Sequence, residues 1–168
     1  MNPQWFGDSY DIVKRFFVSH LQDMGYQVYI DPMFTGQWDG LEKQFYDFIG
    51  AVPLDYFIKS SKKTALLLDP DTGIGKESTA KHVSIQTLRN YLLQHEIVIS
   101  YDQSFNRNHD SKQQMRQKLG LLKNNGATGF YYDSHARFLF TAKSSDELDK
   151  VKDHFIETGL PKHRLITS

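Results

Sequence analysis

The spacing of apolar residues along the chain changes period several times, and each change predicts an element. Ile12, Val13, Phe16, Phe17, Leu21 and Met24 share one helical face, which Asp8 or Ser9 can open and Gly25 can end. "YQVYID", ending at Asp31, reads as a strand, and "PMFTGQWDG" reads as the loop after it. Asp39 and Glu42 have the spacing of a capping box for a helix carrying Leu41, Phe45 and Phe48, stopped by Gly50. Pro53 can open a further short helix through Ile58. "TALLLD" predicts a second strand, followed by a long loop to Val83 and a helix from Ser84 with Ile85, Leu88, Tyr91 and Leu92.

"EIVISYD" predicts a third strand ending at Asp102, and Asp110 can start a helix through Met115, Leu119 and Leu122. "TGFYYD" and "RFLFTA" then read as strands joined through Asp133, Ser134, His135 and Ala136. Ser144 and Glu147 suggest a capping box for a last helix closed by Gly159, with "HRLIT" as a final short strand. Strands that alternate with helices imply βαβ units, and the unbroken "ALLL" and "IVI" suit strands covered on both faces. The expected fold is therefore α/β: one domain over residues 1–168, three-layer and Rossmann-like, its mostly parallel sheet closed by a C-terminal antiparallel hairpin.

Composition narrows the function classes. Twenty basic residues balance twenty acidic ones, so net charge gives no footprint for nucleic acid. The chain has no cysteine, which excludes disulfides, thiolate metal sites and cysteine nucleophiles. No apolar run approaches membrane-spanning length and the N-terminus has no apolar signal core, so the expected location is cytoplasmic, without a membrane partner.

The chemistry concentrates at strand ends. In an open parallel sheet, ligands bind beyond the carboxyl ends of the strands. Asp31, Asp69 and Asp102 each end a predicted strand, with Asp71 close behind Asp69, so their carboxylates are expected on one edge. "ALLLDPDTGIGKEST" (65–79) admits three readings. A phosphate loop is disfavoured, because Glu77 follows Gly75-Lys76 where a hydroxyl is needed and Pro70 supplies no amide. "LLLDPDTG" superficially resembles the haloacid-dehalogenase phosphatases, although Thr72 follows Asp71 directly instead of two residues later. More generally, Asp31, Asp69, Asp71 and Asp102 could hold Mg or Mn for a metal-dependent phosphoesterase or nuclease.

The third reading draws on more of the chain. "GDSYDIVKRFF" (7–17) resembles the N-terminal segment of bacterial ribosomal-RNA adenine methyltransferases of the RlmJ type, through Gly7, Asp11 and Lys14. "VYIDPMFTG" (28–36) is similar to that family's first motif, and "LLLDP" to its Asp-Pro-Pro-Tyr motif, in the same order. The arrangement also resembles the three-Cys-motif partner proteins. The resemblance is at motif level, over about a quarter of the chain. It implies S-adenosylmethionine as cofactor, held by Lys14, Asp31, Phe34 and Gly36, and a catalytic Asp69, to which the clustering of acids at the strand ends adds Asp71 and Asp102 as catalytic candidates. The implied partner is a small nucleoside-type ligand or nucleic acid.

The chain departs from that pattern at Pro32, Met33 and Phe34, where small residues are expected, and at Asp71 and Thr72, which replace a proline and an aromatic. No strand is evident between Leu41 and Lys63 to carry a ribose-binding acid. A degenerate cofactor site, or a non-catalytic interaction domain on the same scaffold, is therefore also an expectation. His82, His135, the loop "YDQSFNR" (101–107), Trp5 and Trp38 are secondary candidates, each read more simply as loop or packing residues.

Overall fold

The computed structural model describes residues 2–35, 38–59 and 61–168. In chain order the helices are α1 (Ser9–Asp23), α2 (Glu42–Ile49), α3 (Ile85–Tyr91), α4 (Ser111–Asn124) and α5 (Ser145–Glu157). The strands are β1 (Gln27–Asp31), β2 (Val52–Pro53), β3 (Thr64–Leu68), β4 (Gly73–Gly75), β5 (His82–Ser84), β6 (Ile97–Tyr101), β7 (Thr128–Tyr132), β8 (Phe138–Ala142) and β9 (Leu165–Ile166). Seven of them form one sheet in the order β2-β1-β3-β6-β8-β7-β9, and β4 pairs with β5 separately.

The sheet is mostly parallel in direction. β2, β1, β3 and β6 pair in parallel. β8 runs antiparallel to both β6 and β7, and β9 antiparallel to β7. Because side chains alternate along a strand, the apolar residues divide into two clusters. Val28, Ile30, Ala65 and Leu67 pack with Phe17 and Leu21 of α1, Phe45 of α2 and Phe155 of α5. Tyr29, Leu66 and Leu68 pack with Leu88 of α3 and Met115 and Leu119 of α4. No described helix is long and apolar enough to cross a membrane.

Local signals act where a side chain can reach an orphan amide. Asp8 caps α1 by accepting from the N–H groups of Tyr10 and Asp11, and Gly25, at φ +87°, lets the chain leave the helix. Ser84 caps α3 and Asp110 caps α4 in the same way. The two expected capping boxes do not form. α2 is entered from a tight turn in which Leu41 N–H donates to the Trp38 carbonyl, and its N-cap is Leu41. At α5 the Ser144 side chain makes no cap bond, because Glu147 is drawn instead to the Tyr26 hydroxyl and to Lys63 Nζ at 2.7 Å.

The segment after α2 also differs from expectation. Val52 and Pro53 pair with Tyr29 and Ile30 as an edge strand, a position where proline's missing N–H costs nothing, and only one 3-10 turn, Leu54–Tyr56, follows. A strand therefore does stand between Leu41 and Lys63.

Glu147 makes a pH-dependent contribution. Hydrogen bonds from Lys63 and Tyr26 lower its pKa from 4.5 to about 2, against a smaller opposing effect of burial. A depressed carboxyl stabilises the fold above its unfolded pKa and loses that contribution as pH falls through the folded value. Urea denaturation of wild type and Glu147→Gln should therefore differ most near neutral pH, with the gap closing between pH 4.5 and about 2. A gap constant over that window would contradict the linkage.

Candidate functional site

Beyond the carboxyl ends of β3 and β6 lies a cleft of about 600 Å³. The N-terminal turn of α1 forms one wall, Asp69 to Thr72 form the floor, and Tyr101 closes the far side. Its centre is an ion-pair triad. Lys14 Nζ donates to Asp11 Oδ1 at 2.8 Å and to Asp69 Oδ2 at 2.6 Å. Lys14 is 3% exposed, Asp11 1% and Asp69 3%. Asp11 Oδ2 also accepts from Gly7 N–H at 2.8 Å, which ties the segment before α1 to the triad. The spacing Asp11, Lys14, Val18, Leu21 places both charged residues on the buried stripe of α1, so two ionised groups stand where that helix turns toward the sheet.

Two carboxylates share one ammonium here. Burial is the largest single influence on Lys14 and acts to lower its pKa, but Asp69 and Asp11 together outweigh it and hold the value above 10.5. Asp69 feels burial most strongly, and its pKa is raised above 3.8 because Lys14 offsets that cost only in part. Tyr101 lies with its ring 5.9 Å from the Lys14 ammonium and edge-on to Tyr10 at 5.8 Å; burial raises its pKa. Next to the triad, Asp71 accepts from the Thr35 hydroxyl at 2.6 Å, which joins the loop after β1 to the loop after β3.

Charge and shape limit what this cleft can take. Among its described lining residues Asp8, Asp11, Asp69 and Asp71 face Lys14 and Lys81. A phosphate would meet an excess of carboxylates, whereas a cation or an amine donor would be attracted. Trp5, 61% exposed, Tyr10 and Tyr101 offer aromatic surface to a planar group.

The acids that end the three strands share an edge but not a face. Leu68 pairs with Ser100, so Asp69 lies level with Tyr101, and Asp102 comes one residue later. That single step turns Asp102 to the opposite side of the sheet. There its Oδ1 accepts from Ile74 N–H at 3.0 Å, Ser104 N–H at 3.1 Å and the Ser104 hydroxyl at 2.5 Å. Its Oδ2 accepts from Lys118 Nζ at 2.7 Å and the Tyr131 hydroxyl at 2.8 Å. Asp102 is 0% exposed and so holds the β4 loop in place. Gly73 fits beside it only because it lacks a Cβ, which would lie 2.3 Å from Asp102 Oδ1.

Asp31 Oδ1 accepts from Met33 N–H at 3.0 Å, and Met33 takes φ +44° in the turn that follows. Phe34 lies 4.3 Å from Trp38 and 5.5 Å from Phe45 between ring centroids, which makes both Phe34 and Trp38 part of the apolar cluster around α2. Gly36 lies outside the described residues. Asp31, Asp69, Asp71 and Asp102 thus do not converge on a point, and among the described residues no group of three or more His, Asp or Glu is placed to hold a metal ion.

Of the expected site residues, then, Lys14, Asp69 and Asp71 line one cleft, whereas Asp31, Phe34 and Asp102 stand away from it. Asp11, named in the first resembling segment, and Tyr101, from the candidate loop 101–107, also line the cleft, and Tyr10 joins them without having been singled out. The signal for Asp11 was its place, with Lys14, on an otherwise apolar helix stripe. Comparisons of the chain with protein-family models, curated proteins and solved structures match nothing.

Replacing Lys14 by Met should leave Asp11 and Asp69 buried beside one another with no shared cation. The expected loss is roughly 3–5 kcal/mol at neutral pH, measured by urea denaturation. A carboxyl whose folded pKa is raised favours the fold below its unfolded pKa and loses that contribution as pH rises through the folded value. The Lys14→Met deficit should therefore shrink as pH falls toward about 4, where Asp69, its pKa raised by burial, takes up a proton. An equal deficit at both pH values would show that the ion pairs do not carry the effect.

Proposed function

We propose that the chain is a methyltransferase-like domain, three-layered and Rossmann-like, that binds a nucleoside-type ligand beyond the carboxyl ends of β1, β3 and β6. The observation that carries this reading is the meeting of the resembling segments. Gly7, Asp11 and Lys14 come from the first and Asp69 from the Asp-Pro segment, 55 residues beyond Lys14, yet all four belong to one hydrogen-bonded network. The strand order adds support. The chain passes from β1 to β2 on one side and returns to β3 on the other, so the sheet reverses between β1 and β3, where α/β folds bind ligands.

Roles follow from the chemistry of each side chain. Asp69, anchored through Oδ2 by Lys14, presents a carboxylate that accepts an exocyclic N–H of the base. Lys14 stays protonated and fixes the orientation of that carboxylate. Trp5 and Tyr10 cover the base, and the acid surplus of the cleft selects an amine-bearing, unphosphorylated ligand. S-adenosylmethionine, when bound, would supply the methyl group. The residues after β1 fit it poorly, since buried Pro32 and the packed Phe34 fill the approach that small residues would leave open.

Isothermal titration tests both parts of this reading. Adenosine should bind saturably, and Trp5→Ala should weaken it about tenfold without lowering the melting temperature, since one base–aromatic stack contributes ~1–3 kcal/mol. S-adenosylmethionine should bind no tighter than about micromolar, roughly 8 kcal/mol. Absence of saturable binding by either compound at millimolar concentration would overturn the nucleoside reading. A nanomolar constant for S-adenosylmethionine would instead restore an intact cofactor site.

A further inference from the structure

A second cleft, of about 550 Å³, opens at the other edge of the sheet, where β3 and β6 begin and α5 starts. Its charge has the opposite sign. Lys59, Lys62, Lys63, Lys143 and Lys150 line it, against Glu96, Asp146 and Glu147. Two of those acids are already committed: Glu147 to Lys63, Lys150 and Tyr26, and Glu96 to the Thr64 N–H at 2.6 Å. The first turn of α5 faces the same space, and Ser144 leaves its amides without a side-chain cap.

His95, which also lines this cleft, is 2% exposed, and its Nε2 has no hydrogen-bond partner among the described residues. Its Nδ1 lies 3.1 Å from the Thr64 hydroxyl, which is itself 3.3 Å from both the Gln94 carbonyl and a Glu96 carboxylate oxygen. The Thr64 hydroxyl can give its proton to either of those oxygens or to Nδ1, and in each case the second ring nitrogen, Nε2, is left without a partner among the described residues. Burial keeps the ring neutral by lowering its pKa. A buried polar atom left unpaired is rare and calls for a partner. Phe57 covers the imidazole at 4.6 Å, and the exposed Leu93 extends the apolar wall.

We propose that this cleft is a second binding site, for a mononucleotide. Its phosphate is held by Lys59, Lys143 and the first turn of α5, and the edge of the base pairs with His95 Nε2 after the base takes the place of the Phe57 ring. The inference is independent of the nucleoside reading. The opposite charge of the two clefts sorts phosphorylated ligands to this edge and unphosphorylated ones to the other.

The test is titration of the full chain with AMP, ribose 5-phosphate and adenosine, followed by nitrogen-15 NMR. AMP should shift the amides of Gln94–Glu96 and Ser144–Glu147 saturably and move the His95 Nε2 resonance from its unbonded toward its hydrogen-bonded position. Lys59→Glu and Lys143→Glu, both at exposed positions, should each weaken AMP by about tenfold, as expected for loss of one charge-assisted contact. His95→Phe should abolish the preference for AMP over ribose 5-phosphate while leaving the affinity for the latter unchanged. Saturable AMP shifts confined to residues around Asp69, no saturable shift at millimolar AMP, or an unmoved Nε2 resonance at saturation would each overturn the proposal.

Discussion

The Lys14 ammonium is almost wholly removed from water, and the arrangement of the carboxyl edge depends on how it is compensated. An unpaired buried cation would cost several kcal/mol, so the chain must bring carboxylates to it. Asp11 comes from the same helix, one turn away, and Asp69 from the end of β3. That pairing fixes the rotation of α1 about its axis, because the stripe that buries Phe17 and Leu21 must also aim Lys14 at the sheet edge. Gly7, bonded to Asp11, then sets the path by which the chain enters α1, and with it the position of Trp5 over the cleft. Two acids thus share this one buried cation.

The pleat of the sheet explains why the other strand-end acids play different parts. With β3 and β6 in register, Asp69 and Asp102 are offset by one residue and point to opposite faces. Asp69 meets α1 and the cleft. Asp102 meets α4 and gathers Lys118, Tyr131, Ser104 and the Ile74 amide, so its carboxylate is used in holding the loop that follows Asp69. One acid faces the cleft and the other steadies the backbone on which Asp71 and Thr72 sit.

Much of this was legible in the sequence, and the rest was not for definable reasons. Helix and strand periodicity located α1, β1, β3, β6, α4 and α5, because those elements bury long stripes that leave a clear period. The edge strand β2 was missed: two residues have no period, and Pro53 reads as a helix opener when its neighbour on β1 is unseen. The capping boxes at Glu42 and Glu147 failed because a tight turn and distant partners, Lys63 and Tyr26, competed with the local bond. At the site, a strand ending on aspartate was visible three times, but register, a long-range property, decides which face each acid takes. Lys14 and Asp69 were both legible as candidates. Their partnership was not, since a buried ion pair between residues 55 apart leaves no local mark.

The most direct test of the central ion pair is a double-mutant cycle across Lys14 and Asp69, read by urea denaturation at neutral pH. If the pair organises the edge, Lys14→Met combined with Asp69→Asn should be more stable than Lys14→Met alone, because the second change removes a carboxylate left without its cation. The coupling should exceed about 1 kcal/mol, well outside the ~0.3–0.5 kcal/mol scatter of independent sites. Additive losses would contradict the account and leave Lys14 and Asp69 as neighbours with no energetic bond between them.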